Sequence, residues 1–351
     1  MIEIFLIIAL LIDAIYLVVL VSSSIPFEKQ KIRKLQPVSV IIASKDGTVI
    51  EKTLRALKRV KKPALEIIVV SADQKTLGIA KKYGAKTVKD RGVGKGAALN
   101  LAVRHATHDI LYFVDEDMIV RQDTIEKVCS ALNTCEVSTG YNRPHNAAGV
   151  TSYVARLYVS LLWKIQYSIY RMIGTTLASG RNTAMYKKTL KEAGGFTNAL
   201  TEDMGLSFRL LEMRKKIKFV NAVAADQVPE KFSSYLRQQQ RWTTGTGDVI
   251  NGWKKSLARN DVVLVGFILL LGMMAPISLA FLLLALASKS LLLLSVPAVA
   301  FLLCLSAVAS LGRRDVVLLP VTFFAFIFIH TLTVAYSAVR KPKGWYITPK
   351  T

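Results

Sequence analysis

Apolar residues fall along this chain in two rhythms. Four stretches are apolar with almost no interruption: residues 4–21, broken only by Asp13, then 262–288, 290–311 and 316–339. Each meets or exceeds the roughly 18 residues that mark a helix able to cross a bilayer. Between the first and the second, short β-branched runs alternate with amphipathic stretches. Val38–Ala43 predicts a buried strand, 49–60 a helix with Ile50, Leu54 and Leu57 on one face, 66–70 a second strand and 77–83 a short helix. Residues 85–88 predict a third strand, 95–106 a helix and 110–114 a fourth strand. Alternation at this pace predicts an α/β fold with a mostly parallel sheet under helices, because parallel neighbours need crossover connections. After Gln122 the rhythm loosens. The longest later stretch, 150–173, is rich in Tyr and Leu and fits either a helix on a membrane surface or a core helix.

Composition sharpens this division. An apolar fraction of 52% is high for a soluble enzyme, yet 47 Lys and Arg stand against 24 Asp and Glu, a formal charge of +23. The predicted division is a membrane helix at 1–25, a soluble domain at 36–250, apolar C-terminal segments at 251–340 and a basic tail at 341–351. Lys29, Lys31, Arg33 and Lys34 follow the first apolar segment, which predicts an outside N-terminus and a cytoplasmic domain on a multi-pass protein of the plasma membrane. That first segment has neither a charged leader nor an A-x-A-like site, so it reads as an uncleaved anchor. The positive excess suits anionic lipid headgroups as partners. Basic residues are scattered and no nucleic-acid motif occurs, so nucleic acid is not an expected partner. Cys129, Cys135 and Cys304 show neither ligand spacing nor a disulfide framework and read as free, buried thiols, and the four histidines show no ligand spacing.

Open parallel sheets bind ligands at the carboxyl ends of their strands. Polar clusters sit there: 44–46, 71–73 and 115–117. In the last, Asp115 and Asp117 flank Glu116 just past a strand end. Carboxylates at alternate positions suit Mg²⁺ or Mn²⁺, which completes its shell with phosphate oxygens; a solvated acidic turn is the plain alternative. Lys95, between Gly94 and Gly96 at a helix start, suits a phosphate, although the full Walker spacing is missing. Thr201-Glu202-Asp203 reads as a helix N-cap with an acidic first turn. Arg241-Trp242, close before an apolar segment, has the composition of an interfacial anchor.

In order along the chain, the Val38–Ala43 strand, the run Gly94-Lys95-Gly96-Ala97-Ala98-Leu99-Asn100 and the Asp115/Asp117 pair resemble the family 2 glycosyltransferases with a GT-A fold. So do Ser179-Gly180-Arg181-Asn182 with Gly194-Gly195-Phe196, then Thr201-Glu202-Asp203, then Gln238-Gln239-Gln240-Arg241-Trp242. The last is similar to the Q-x-x-R-W motif of the membrane-integrated cellulose, chitin and hyaluronan synthases and ceramide glucosyltransferases. The resemblance implies a nucleotide-sugar domain with a UDP-sugar donor, a Mg²⁺ or Mn²⁺ cofactor and a lipid or glycan acceptor. It implies Asp203 as base with Glu202 beside it, and Asp115 and Asp117 at the metal. Ala43, Asp46, Asp73, Lys95, Asp115 and Arg241 would meet the donor, and Gly180, Arg181, Gln238 and Trp242 the acceptor. Departures are Ala43 where the family usually carries proline, Asp46-Gly47 for Asn-Glu, and Ser71-Ala72-Asp73 for an acidic pair. Trp345, Thr348 and Lys350 in the tail resemble a gating-loop motif that covers the nucleotide. That places the tail in the cytoplasm, whereas three complete crossings after the domain would place it outside. Two other readings are a polyprenyl-phosphate sugar synthase, which generally lacks Q-x-x-R-W, and a non-catalytic nucleotide-sugar-binding or translocation subunit, which would have lost the base or metal residues.

Overall fold

The structure, a computed structural model, describes residues 2–28, 30–32, 35–45, 47, 49–253 and 259–339. Its centre is a seven-stranded sheet: β1 (Val38–Ala43), β2 (Leu65–Ser71), β3 (Lys86–Lys89), β4 (Ile110–Phe113), β5 (Val137–Pro144), β6 (Thr183–Tyr186) and β7 (Ile217–Asp226). The strand order is β3-β2-β1-β4-β6-β5-β7. Only β6 runs against its neighbours; the other pairings are parallel. The mostly parallel α/β sheet expected from the alternation is present.

The run Val-Ser-Val-Ile-Ile-Ala forms β1 because successive side chains point to opposite faces and both faces are covered. Val40 and Ile42 join Leu54 and Leu57 of α2 (Ile50–Lys58), Ala80 of α3 (Gln74–Lys82) and Val128 of α5 (Gln122–Ala131). On the other face Ile41 meets Ala98 and Leu99 of α4 (Lys95–Arg104), Leu190 of α7 (Lys187–Glu192) and Leu206 of α8 (Glu202–Glu212).

The stretch whose role the pattern leaves open becomes α6 (Gly149–Ile173), and it is a core helix. Val154, Leu157, Leu161 and Ile165 pack in one cluster with Ile12, Tyr16 and Val19 of α1 (Ile2–Ser24) and with the C-terminal helices. Ser22 and Ser168 hydrogen-bond at 2.5 Å across the α1–α6 contact. The C-terminal helices are α10 (Arg259–Gly272), α11 (Met274–Ser288), α12 (Ser295–Val308) and α13 (Arg313–Val339), after α9 (Phe232–Trp253). Buried Arg156 of α6 holds the start of α13 with a forked ion pair to Asp315, 2.7 Å on each arm, and donates to the carbonyls of Pro144 and Asn146 at 3.0 Å. Four of the five guanidinium N–H groups thus find acceptors, which is what makes the burial tolerable.

Among the described residues three helices are long and apolar enough to cross a membrane: Ile2–Ser24, Leu291–Val308 and Arg313–Val339. The apolar run 262–288, read from sequence as one span, is broken. Val263–Leu270 and Met274–Ser288 meet at 57°. Pro276 supplies a reason. It has no N–H for the carbonyl four residues back, that of Gly272, so the helix cannot continue through that turn. His330 of α13 fills the gap, its Nε2 lying 3.2 Å from the Gly272 oxygen. Cys129, Cys135 and Cys304 are free and buried, as expected.

Candidate active site

The carboxyl ends of the parallel strands open on one cavity of about 520 Å³. At the end of β4 the turn Asp115-Glu116-Asp117 is tied from both sides. The Glu116 carbonyl accepts from Thr53 Oγ1 at 2.7 Å and its carboxylate from Ser44 Oγ, while Ile119 exchanges two 2.9 Å backbone bonds with Ala225. Both Asp115 and Asp117 line the cavity, and Asp117 is buried.

Lys95 begins α4, and the glycines around it are dictated by geometry. Gly94 caps the helix at φ 148°, where a side chain would be strained, and a Cβ on Gly96 would run into the Thr197 carbonyl. The Lys95 ammonium stands 3.0 Å from Asp115 Oδ1 and 3.0 Å from Glu202 Oε1. Burial alone would lower its pKa, but Asp115, Glu202 and Asp203 outweigh that and hold it above the ordinary lysine value. Burial pushes the Glu202 carboxyl up, Lys95 pulls it back, and Asp203 adds to the rise.

Asp203 stands in the first turn of α8. The Gly180 N–H donates to its Oδ2 and the Met204 N–H to its Oδ1, each at 2.9 Å. These bonds fix the carboxylate's direction, and each oxygen keeps a lone pair for another partner. The expected Thr201 cap is not made: no side-chain capping bond forms, and the Thr201 side chain is crowded by the close approach of Gly245 on α9. Arg181 sits 2.6 Å from Asp226 at the end of β7 and 3.7 Å from Asp115. Its backbone is aimed by Asn182, a fully buried residue at φ 51° whose amide donates to Tyr141 and Ala222 carbonyls while its oxygen accepts from Tyr112. On α9, Gln238, Arg241 and Trp242 fall at helical spacings i, i+3 and i+4, so all three face the cavity. Trp242 stacks on Tyr158 of α6 with ring centres 6.0 Å apart.

The cavity therefore collects Ala43, Lys95, Asp115, Asp117, Gly180, Arg181, Glu202, Asp203, Gln238, Arg241 and Trp242. Asp73 is not among its lining residues. It caps α3 instead, accepting from the Lys75 and Thr76 amides and the Thr76 hydroxyl, and these Thr76 bonds hold its carboxyl below the usual range. Asp46, Trp345, Thr348 and Lys350 lie outside the described residues. Sequence reasoning missed Asp226, Tyr158 and His330, and quoted Asn182 in a motif without giving it a role. Asp226 carried a legible signal, an acid closing a strand, but β7 was not predicted; the others are defined by partners distant in sequence.

An α/β sheet whose strand ends gather carboxylates beside a Q-x-x-R-W helix defines a class, and comparison with known proteins agrees. Residues 36–245 match the sequence model of glycosyltransferase like family 2. That is more than half of the 351 residues, and the chain belongs to this family. The poly-beta-1,6-N-acetyl-D-glucosamine synthase of Staphylococcus epidermidis is 24% identical over 237 residues, 63% of this chain and 57% of that protein. The synthase of the same name from Staphylococcus aureus is 26% identical over 232 residues, 62% of this chain and 56% of that one. The chain thus matches little more than half the length of these relatives. Among solved structures, the mannosyltransferase PcManGT from Pyrobaculum calidifontis, in complex with GDP-Man and Mn²⁺, superposes with a TM-score of 0.61 at 17% identity, over 95% of this chain and 98% of that one. At that identity the likeness concerns the fold, and the GT-A expectation holds.

Proposed function

We propose that the protein is a membrane-embedded, inverting glycosyltransferase that moves a sugar from a nucleotide-sugar, a UDP-sugar by the sequence resemblance, to a polysaccharide or glycolipid acceptor on the cytoplasmic face of the plasma membrane. The observation that supports this most is that the Asp115/Asp117 turn, Asp203 and Arg241 line a single cavity although they come from three separate elements.

In this reading the acceptor hydroxyl gives its proton to Asp203 as its oxygen bonds the anomeric carbon. The bond from that carbon to the diphosphate breaks, and the nucleoside diphosphate leaves with the electron pair. Gly180 and Met204 hold Asp203 in direction, and Glu202 with Asp115 holds Lys95 where a phosphate would meet its ammonium. Arg181 and Arg241 add positive charge, and Trp242 with Tyr158 offers flat aromatic faces to a sugar ring.

The residues fit a divalent cation. Among the described residues no cluster of three or more His, Cys, Asp or Glu forms a complete ligand set. Two carboxylates suit Mg²⁺ or Mn²⁺ when phosphate oxygens supply other ligands. The lining carboxylates Asp115, Glu116, Asp117, Glu202 and Asp203 outnumber the lining cations Lys95, Arg181 and Arg241, and Arg181 is further paired with Asp226, so the wall carries a negative excess that a divalent ion would offset. Bound there, it would stabilise the charge of the departing diphosphate.

The test is incubation of purified protein with a panel of radiolabelled nucleotide sugars and Mn²⁺. Consumption of one donor, lost on chelation of the metal, is expected; no consumption of any donor contradicts the proposal.

A further inference from the structure

The cavity has two chemically different ends. Around Asp115, Asp203 and Arg241 it is charged. Along α6 and toward the C-terminal helices its wall is largely apolar, with Leu162, Ile165, Ile268, Leu269, Met273 and Val334, while Trp163 and Gln166 of α6 supply polar atoms there. The six apolar side chains present no donor or acceptor, so saccharide hydroxyls laid against them would lose hydrogen bonds, while a hydrocarbon would not. Leu269 and Met273 line the cavity and yet are 49% and 40% exposed, so the apolar end opens sideways, at the break between α10 and α11. The break is built in. Pro276 leaves the Gly272 carbonyl without its helical donor, and His330 takes that carbonyl from α13 while its Nδ1 lies 3.4 Å from the Tyr235 hydroxyl of α9. With Gly272 accepting from Nε2–H, Nδ1 is left to meet the Tyr235 hydroxyl. The same imidazole lies 4.8 Å from the Tyr158 ring that stacks on Trp242. One side chain of a helix apolar enough to cross a membrane thus ties the sideways mouth to the Q-x-x-R-W helix.

We propose that the acceptor is a hydroxyl-headed lipid that enters laterally from the bilayer through the α10–α11 break, its hydrocarbon chain lying against Leu269, Met273 and Val334 and its hydroxyl reaching Asp203. This rests on the transferase reading above. The step balances as before: the lipid hydroxyl's proton goes to Asp203, the glycosidic bond forms, and the nucleoside diphosphate departs. His330 is a positioning residue, holding the mouth open beside the Tyr158–Trp242 pair.

The test uses the full chain reconstituted in vesicles of phosphatidylcholine and phosphatidylglycerol that carry a chloroform–methanol extract of the host membrane. With the donor found to be consumed, label is expected in the organic phase. Donor consumed with label only in free sugar or water-soluble glycan overturns the lipid acceptor and leaves the transferase reading standing; no donor consumed removes both. With the labelled lipid identified, Leu269→Trp is expected to lower kcat/KM for the long-chain lipid about tenfold relative to a short-chain analogue of the same headgroup, as overfilling a fitted apolar site does. Leu286→Trp, on the exposed face of α11 away from the cavity, leaves the ratio unchanged. Retained transfer to the short-chain analogue shows the variant is folded, and an equal loss with both substrates, or none, overturns the portal.

Discussion

Replacing Lys95 by Met tests the electrostatics of the site without touching Asp203. The ammonium lies 3.0 Å from each of Asp115 and Glu202, with 17% of the lysine, 22% of Asp115 and 5% of Glu202 side-chain surface exposed. At an effective dielectric of about 20, each contact is worth about 5 kcal/mol of Coulomb energy, most of it offset by desolvation. Removing Lys95 leaves buried Glu202 without its counter-ion, while Asp115 keeps Arg181 at 3.7 Å; breaking a buried pair costs about 3–5 kcal/mol. Glu202 limits the loss. Burial already raises its pKa, and without Lys95 the carboxyl rises further and takes up a proton. A destabilisation near 3 kcal/mol is expected, or about 6–12 °C in unfolding temperature for a domain of this size. The sign with pH follows. In the variant Glu202 binds its proton more tightly when folded than when unfolded, so stability falls as pH rises from the ordinary glutamate range through the raised folded value. Thermal unfolding of both proteins at pH 6 and pH 9 is the assay, and the deficit of the variant should be larger at pH 9. A loss under about 1 kcal/mol, or one equal at both pH values, refutes the ion-pair reasoning.

Trp242→Ala removes the ring stacked on Tyr158. It should raise the KM for acceptor about tenfold while acceptor-independent donor hydrolysis falls less; equal losses argue against stacking. Gly180→Ala places a Cβ 3.1 Å from Asp203 Oδ2, so the carboxylate must shift. A kcat loss of about tenfold with unfolding unchanged is expected, and unchanged kcat contradicts the role of the Gly180 amide in aiming Asp203. A cysteine at Thr351 should be protected from an impermeant reagent in right-side-out vesicles. Labelling from outside contradicts a cytoplasmic tail.

The first half of the sheet was legible because β1 and β2 are rich in β-branched residues, β4 is a fully buried apolar run, and amphipathic helices separate them. Once the sheet direction is known, the Asp115/Asp117 turn follows from its place after such a strand. Strands β5 to β7 were not legible. β5 carries polar residues in its core, Ser138 and Thr139 bonding to the Val128 carbonyl and the Thr183 hydroxyl and Asn142 buried beside them, and β6 is four residues of reversed direction. With β7 unread, Asp226 could not be placed. The break after Gly272 was readable from Pro276, since a missing N–H is a local fact, but the uniform apolarity of 262–288 concealed it. His330 was unreadable in principle, because its meaning lies in partners 58 and 95 residues away. Asp73 shows a second use of an acid after a strand: expected at the nucleotide, its carboxylate caps α3 in the structure.

The account depends most on Asp203 acting as proton acceptor beside a separately held diphosphate. Transfer and nucleotide binding measured side by side for Asp203→Asn, in the purified full-length protein with Mn²⁺, test it directly. Transfer should fall by about two to four orders of magnitude, as removal of a positioned base does, with the nucleotide dissociation constant unchanged. Retained transfer, or loss of nucleotide binding along with it, would contradict the assignment.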